Sequence, residues 1–362
     1  MPDRIWNFNP GPATLPLPVL EKIKADLPNY NDSGMAVMEL SHRSKDYSEI
    51  HEQTQSLFKE LLNISDRYQV LFLQGGASLQ FAMIPFNLLK SGISADYIIT
   101  GSWSKKALKE GTILGDAKIA GSSEDKNFTC IPAQKTLTLN PDAAYLHITS
   151  NNTIAGTQWH TFPESGNVPL IADMSSDILS RNIDVSKFGI IYAGAQKNLG
   201  PSGVTVVILE KGLLDKCRDD IPTLLQYKTH ADKNSLFNTP PTYSIYIVKL
   251  VLEWVRDLGG LDAVENRNQK KADILYSILD CHSEFYRGTV EKESRSHMNV
   301  TFRLPTEELE AQFIKEGLTA GFGGLKGHRS VGGIRVSMYN ALEPQGIEEL
   351  AEFMTAFKQK NG

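Results

Sequence analysis

Ile190-Ile-Tyr-Ala-Gly-Ala-Gln-Lys-Asn-Leu-Gly-Pro-Ser-Gly203 opens as an apolar run and ends as a crowded turn around one lysine. The run, residues 189–193, predicts a strand covered by helices on both faces. Gly194, Ala195, Gly200 and Gly203 keep the turn small, and glycine permits both strained backbone and close approach of a bulky ligand. A lysine at such a strand end loses solvent. Desolvation lowers its pKa and favours an amine that condenses with a carbonyl. The same residues also suit a lysine at a helix start among ordinary turn glycines, and this stretch alone leaves both readings open.

Outward from it, short apolar runs recur at residues 69–73, 97–100, 144–148, 169–172 and 204–209. Several are apolar on both faces, and a helical pattern at residues 78–89 falls between the first two. Strands alternating with helices predict an α/β fold with a mainly parallel sheet. The first fifteen residues, with Asn7-Phe-Asn-Pro-Gly-Pro12, read as an extended arm, and helical periodicity begins near Leu17. Ile50, Thr54, Leu57, Phe58, Leu61 and Leu62 share one helical face. A later helix, residues 243–258, carries the stripe Ile247, Val248, Val251, Leu252 and Val255 and stops at Gly259-Gly260. Beyond it come a helix, a strand at 298–302, a helix, a strand at 333–337 and a last helix at 344–358. This predicts a large domain of residues 16–260 and a smaller α+β domain of residues 1–15 plus 261–362.

Composition sets outer bounds. The 362 residues are 41% hydrophobic and 22% charged, which fits globular folding. A chain this long needs no disulfide or metal staple, and no metal is expected. The net charge of −5, without a basic block, gives no reason to expect nucleic acid or an acidic membrane surface as partner. Cys130, Cys217 and Cys281 are odd in number and lack CxxC spacing, which fits a reducing compartment. The first residues lack the apolar run of a signal peptide, and no stretch approaches the ~20 apolar residues of a membrane span. A cytoplasmic location is the expectation.

Asp173 follows the apolar run 169–172 and precedes Lys197 by 24 residues. A carboxylate there often caps a helix, as would Ser175 or Ser176. A pyridoxal cofactor needs two protein groups at opposite ends: a lysine for its aldehyde and a carboxylate that keeps its ring nitrogen protonated. Two such residues at neighbouring strand ends suit it. Leu71-Phe-Leu-Gln-Gly-Gly-Ala-Ser78 reads as a strand entering a glycine turn before a helix, whose free N–H groups and dipole favour a phosphate. It matches neither a GxGxxG fingerprint nor a Walker A sequence.

Asp173, Lys197, Gly75-Gly-Ala-Ser78, Ser41-His-Arg43, Phe237-Asn-Thr-Pro-Pro241 and Gly327-His-Arg-Ser-Val-Gly-Gly333 occur in this order. As a set, the chain resembles the phosphoserine aminotransferase family of fold-type I pyridoxal enzymes, from the arm to the last helix. The resemblance implies a large domain with a seven-stranded sheet and a homodimer with active sites at the interface. It implies pyridoxal 5'-phosphate as cofactor and transamination between L-glutamate and 3-phosphohydroxypyruvate. The family also acts on a phosphorylated hydroxythreonine in pyridoxine synthesis. By resemblance, Lys197 carries the cofactor, Asp173 pairs with its ring nitrogen, Trp103 stacks on the ring and Thr153 bonds the ring oxygen. Ala77, Ser78 and Gln196 hold its phosphate, joined by Asn238 and Thr239 of the neighbouring subunit. Some members carry arginine where this chain has Ser78; a hydroxyl at a helix start still donates. For substrate, Arg335 takes the α-carboxylate. His328 and Arg329, with His42 and Arg43 from the other subunit, take the distal phosphate. Arginine suits both anions because its planar fork binds them bidentately.

Two other functions compete. A dehydrogenase would use the 71–78 turn with Asp96 as ribose-binding acid, but the third glycine is missing and Lys197 has no role. A cysteine desulfurase shares the fold but needs a thiol near the substrate, and Cys281, in Leu279-Asp-Cys-His-Ser283, reads as a remote helix end.

Overall fold

In the computed structural model, residues 4–362 are described; residues 1–3, the start of the expected arm, lie outside the described residues. Seven strands form the main sheet: β1 (Tyr68–Leu73), β2 (Ser94–Ile99), β3 (Asp116–Ser122), β4 (Leu146–Thr149), β5 (Leu170–Asp173), β6 (Ile190–Gly194) and β7 (Thr205–Glu210). Their spatial order is β1-β7-β6-β5-β4-β2-β3. Only β7 runs antiparallel to its neighbours, so β1 keeps the direction of the parallel strands. The mainly parallel α/β expectation holds. Strand β3 was not expected: its sequence, DAKIAGS, is mostly exposed at the sheet edge and carries no apolar pattern.

The sheet separates two apolar layers. Ile190 and Tyr192 pack on one side with Leu71, Tyr97 and Val207, while Ile191 and Ala193 pack on the other with Phe72, Ile98 and Val206. Alternation of side chains along a strand produces this split, and apolar residues on both faces are what a doubly covered sheet requires. Burying each large aliphatic side chain contributes roughly 1.5–3 kcal/mol. The helix Gly76–Leu88 covers one side, contributing Phe81, Met83 and Ile84. The helix Thr242–Asp257 covers the other with Ile245, Val248 and Leu252.

A second core gathers Phe8 from the arm with Phe302, Phe313, Val336, Leu350 and Phe357. Its sheet holds β8 (Arg287–Gly288), β9 (Asn299–Arg303) and β10 (Ile334–Ser337) in order. The arm joins it through Trp6–Asn7, which pair in parallel with Phe322–Gly323. The helix Gly260–Cys281 links the two cores, packing Leu261 and Val264 into the first and Leu275 and Leu279 into the second. Among the described residues, no helix is long and apolar enough to cross a membrane.

Candidate active site

Because β1, β2, β4, β5 and β6 point the same way, their carboxyl ends line one edge, where open α/β sheets place ligands. A cavity of about 250 Å³ lies there, lined by Gly76, Ala77 and Ser78 after β1 and by Trp103 after β2. Thr153 follows β4, Asp173 ends β5, and Gln196 and Lys197 follow β6. His328 and Arg335 reach the same space from the second core.

Asp173 is buried and held from one side. Ser175 donates to its Oδ1 twice, from its hydroxyl at 2.6 Å and its N–H at 2.9 Å. The Ser175 hydroxyl in turn accepts from Gly194 N–H at 3.0 Å, which ties β5 to β6. No helix follows, so this is an Asx turn and the helix-cap reading of Asp173 and Ser175 is set aside. Burial pushes the Asp173 pKa up, while the Ser175 bonds and the charge of Lys197 pull it down. A cationic ring N–H at the second oxygen would complete the pairing.

Lys197 lies in the turn after β6, half-buried and opening on the cavity. Gly11 of the arm sits against its stem: a Cβ on Gly11 would lie 3.2 Å from Lys197 Cγ, at φ +132°. Loss of bulk water lowers its pKa to about 8, opposed by Asp173 and aided by Arg335. Lys271 has an even lower pKa, about 7, also from burial. Its ammonium, however, donates to the carbonyls of Met338, Tyr339 and Leu342 at 2.8–3.1 Å, and it does not line the cavity. Geometry, not pKa, singles out Lys197.

Trp103 is half-buried, packing against one apolar layer of the main sheet while it lines the cavity. Its indole N–H donates to Thr153 Oγ1 at 3.1 Å, and Lys197 Nζ stands 5.9 Å from the ring centre. At the start of the helix Gly76–Leu88, Gly75 and Gly76 have φ of +88° and +65°. The first bond there is Leu79 N–H to Gly75 O at 3.3 Å. The amides of Gly76, Ala77 and Ser78 are therefore the orphan donors of a first turn, beside an exposed Ser78.

Arg335 is buried on β10, and its Nη1 donates to Thr153 O at 3.2 Å. Its Nε has no partner among the described residues. A buried guanidinium with a spare donor calls for an anion. His328 Nδ1 accepts from Ser330 N–H at 3.2 Å and lies 2.7 Å from Ser330 Oγ. Burial and the charges of Arg335, Arg329 and Lys106 lower its pKa, and with Nδ1 accepting from Ser330 a neutral ring carries its proton on Nε2.

His42 and Arg43, in the turn before the helix Lys45–Leu61, do not line this cavity, nor do Asn238 and Thr239. Arg43, Asn238 and Thr239 are exposed, and Arg329 is exposed in its loop. The competing readings lose support. Asp96 is buried within β2 and accepts from Asn140 N–H at 2.7 Å, and Cys281 is exposed at the end of the helix Gly260–Cys281 and does not line the cavity. Ser175 and Gly11 are contributors that sequence reading missed. The Asp-x-Ser spacing of an Asx turn was an available signal for the first.

The sequence profile of the family described as class-V aminotransferases matches residues 5–350. Phosphoserine aminotransferase of Desulfatibacillum aliphaticivorans is 57% identical, with all of both chains covered. The solved structure of phosphoserine aminotransferase from Bacillus circulans subsp. alkalophilus superposes with a TM-score of 0.98 at 52% identity, covering 99% of each chain. That of the pyridoxal-phosphate-bound enzyme from Trichomonas vaginalis gives 0.93 at 36% identity, covering 97% of this chain and 100% of its own.

Proposed function

This chain belongs to the class-V aminotransferases, in the phosphoserine aminotransferase family, and from that premise we propose how its own residues divide the work. It transfers an amino group between L-glutamate and 3-phosphohydroxypyruvate, giving 2-oxoglutarate and O-phospho-L-serine, with pyridoxal 5'-phosphate as cofactor. The observation that carries the assignment of residues is the convergence of Lys197, Asp173, Trp103 and the first-turn amides on one cavity. That donor set fits the cofactor: an amine, a carboxylate, an aromatic face and a phosphate cradle. When bound, pyridoxal phosphate supplies an aldehyde that takes up the amino nitrogen and a ring that delocalises the electron pair left on the α-carbon when its proton departs.

The protein's part follows from where its groups sit. Lys197 would hold the cofactor between turnovers and, when free, would take the α-proton at Nζ and deliver it to the cofactor's aldehyde-derived carbon on the far side of the transferred nitrogen. A pKa of about 8 leaves a useful neutral fraction for that step. Asp173, its Oδ1 occupied by Ser175, offers Oδ2 to the ring nitrogen and keeps it protonated. Trp103 stacks on the ring, and Thr153 holds its oxygen. The amides of Ala77 and Ser78, the Ser78 hydroxyl and Gln196 hold the cofactor phosphate. We divide the chain into a large domain, residues 16–260, and a small one, residues 1–15 and 261–362, a division supported by Phe8 lying in the second core.

The architecture is that of a homodimeric pyridoxal enzyme. In our reading its sites lie at the interface. Asn238 and Thr239 serve the cofactor phosphate of the partner subunit, and His42 and Arg43 its substrate phosphate, joined there by His328 and Arg329. The position of all four away from their own cavity supports this. Arg335 takes the α-carboxylate common to every substrate.

Two outcomes test these roles. Arg329→Ala and Arg43→Ala should lower kcat/KM for O-phospho-L-serine by about ten- to a hundredfold, because each removes a charge-assisted bond worth roughly 1.5–3 kcal/mol. Glutamate, with one distal carboxylate, should lose less, whereas Arg335→Ala should weaken both alike. Half-reactions started separately from each amino donor give the comparison, and equal losses for Arg329→Ala and Arg43→Ala would remove the phosphate assignment. Second, the cofactor-free protein should take up pyridoxal phosphate covalently at a rate that rises with pH and levels off above about 8. Only the neutral amine reacts, and burial has moved its midpoint down from 10.5. A rate still climbing at pH 10, followed by absorbance, would contradict the depressed amine.

A further inference from the structure

We propose that Arg303 and Glu310, both outside the cofactor cavity, are positioning residues for substrate specificity that set the loop presenting His328 and Arg329. This rests on the reading of those two residues as the phosphate pole. The loop, Gly327 to Gly333, closes tightly on itself. Gly327 N–H donates to Gly333 O at 2.8 Å, and Val331 and Gly332 N–H both donate to His328 O, at 3.0 and 2.9 Å. A Cβ on Gly327 would lie 2.0 Å from Gly332 O, so this closure admits no side chain there. Gly332 and Gly333 take φ of +68° and +72°. The loop therefore has a fixed local shape, and its placement depends on what it leans against.

It leans on Arg303. This side chain ends β9 and runs along the returning leg of the loop: a Cβ on Gly333 would lie 2.6 Å from Arg303 Cδ. Arg303 Nη1 donates to Val331 O at 3.0 Å, at the turn of the loop. The other edge of the guanidinium is fixed by Glu310, whose carboxylate accepts from Arg303 Nε at 2.5 Å and from Leu304 N–H at 3.3 Å. Glu310 is buried at the start of the helix Glu307–Thr319, where the dipole also favours its charge. Arg303 is thereby neutralised and held in one direction. It is a strut, not a free cation awaiting substrate. A planar fork that bonds a carboxylate on one edge and a carbonyl on another is a task lysine does not duplicate.

The consequence is selective. The loop carries His328 and Arg329, so its displacement weakens contacts to the distal phosphate, whereas Arg335 on β10 still holds the α-carboxylate. Arg303→Gln should raise KM for O-phospho-L-serine in its half-reaction by about tenfold, with kcat within a factor of about three. The glutamate half-reaction should change less than about threefold. Arg303→Lys, which keeps a cation beside Glu310 but cannot also reach Val331 O, should show the same selectivity at smaller size. Arg329→Ala is measured alongside. If it discriminates between the two donors while both Arg303 variants leave them equal, or lower both equally, the strut assignment is wrong. If Arg329→Ala itself fails to discriminate, the phosphate-pole reading falls and this inference with it.

Discussion

Lys197→Ala is expected to fold, dimerise and yet lose turnover by about 10⁴-fold or more. Two contributions disappear together: the covalent hold on the cofactor and the base that moves the α-proton. The fold should survive because Lys197 lies in a turn and opens on the cavity, while the strand before it is held by residues that stay, Ile190, Ile191, Tyr192 and Ala193. Cofactor should still enter through Asp173, Trp103 and the phosphate cradle, but without covalent attachment. Steady-state rates of phosphoserine formation, with absorbance spectra of the purified variant, check both halves. Residual activity within tenfold of the parent would assign the proton transfer to another group.

Asp173→Asn is expected to cost about 10²–10³ in kcat, the usual size for removing one preorganised electrostatic partner from a dry site. Asparagine keeps the shape and can still accept at its carbonyl oxygen from Ser175. It cannot hold a proton on the ring nitrogen by charge. The loss should therefore fall on removal of the α-proton, with substrate affinity little changed. Exchange of the α-proton of glutamate with solvent, followed by NMR, isolates that step. An exchange rate equal to that of the parent would refute the role. Protonation of Asp173 itself sets a further limit. Burial raises its pKa, so as pH falls toward that value the carboxylate becomes neutral and the same loss should appear in the unaltered protein.

Much of this site was legible because doubly covered strands leave a plain record. The apolar run at 190–193 ends in small residues and one lysine, and that at 170–172 ends in Asp173. Parallel strands then bring their ends to one edge, whatever their distance in sequence. Strand β3 was illegible for the opposite reason: at an edge, with Ile119 exposed, it needs no apolar alternation. Ser175 was read as a helix cap because the residues that suit a cap also suit an Asx turn, and only the missing helix separates them. Arg303 and Val331 lie 28 residues apart and meet through an ordinary charge and a backbone carbonyl, which leaves no sequence trace. Lys271 did leave one. It shares a helical stripe with Leu261, Val264, Asn268 and Leu275, a spacing that marks it as inward, although a lysine pair at 270–271 reads at first as a solvated face.

The most direct test compares Lys197 with the fully buried Lys271. The holoenzyme is reduced with borohydride, digested, and its peptides are sequenced by mass spectrometry. The pyridoxyl mass is expected on Lys197 alone, because only that amine opens on the cavity beside Asp173 and Trp103. A pyridoxyl group on Lys271, or on any lysine other than Lys197, would contradict the site from which every other role here is derived.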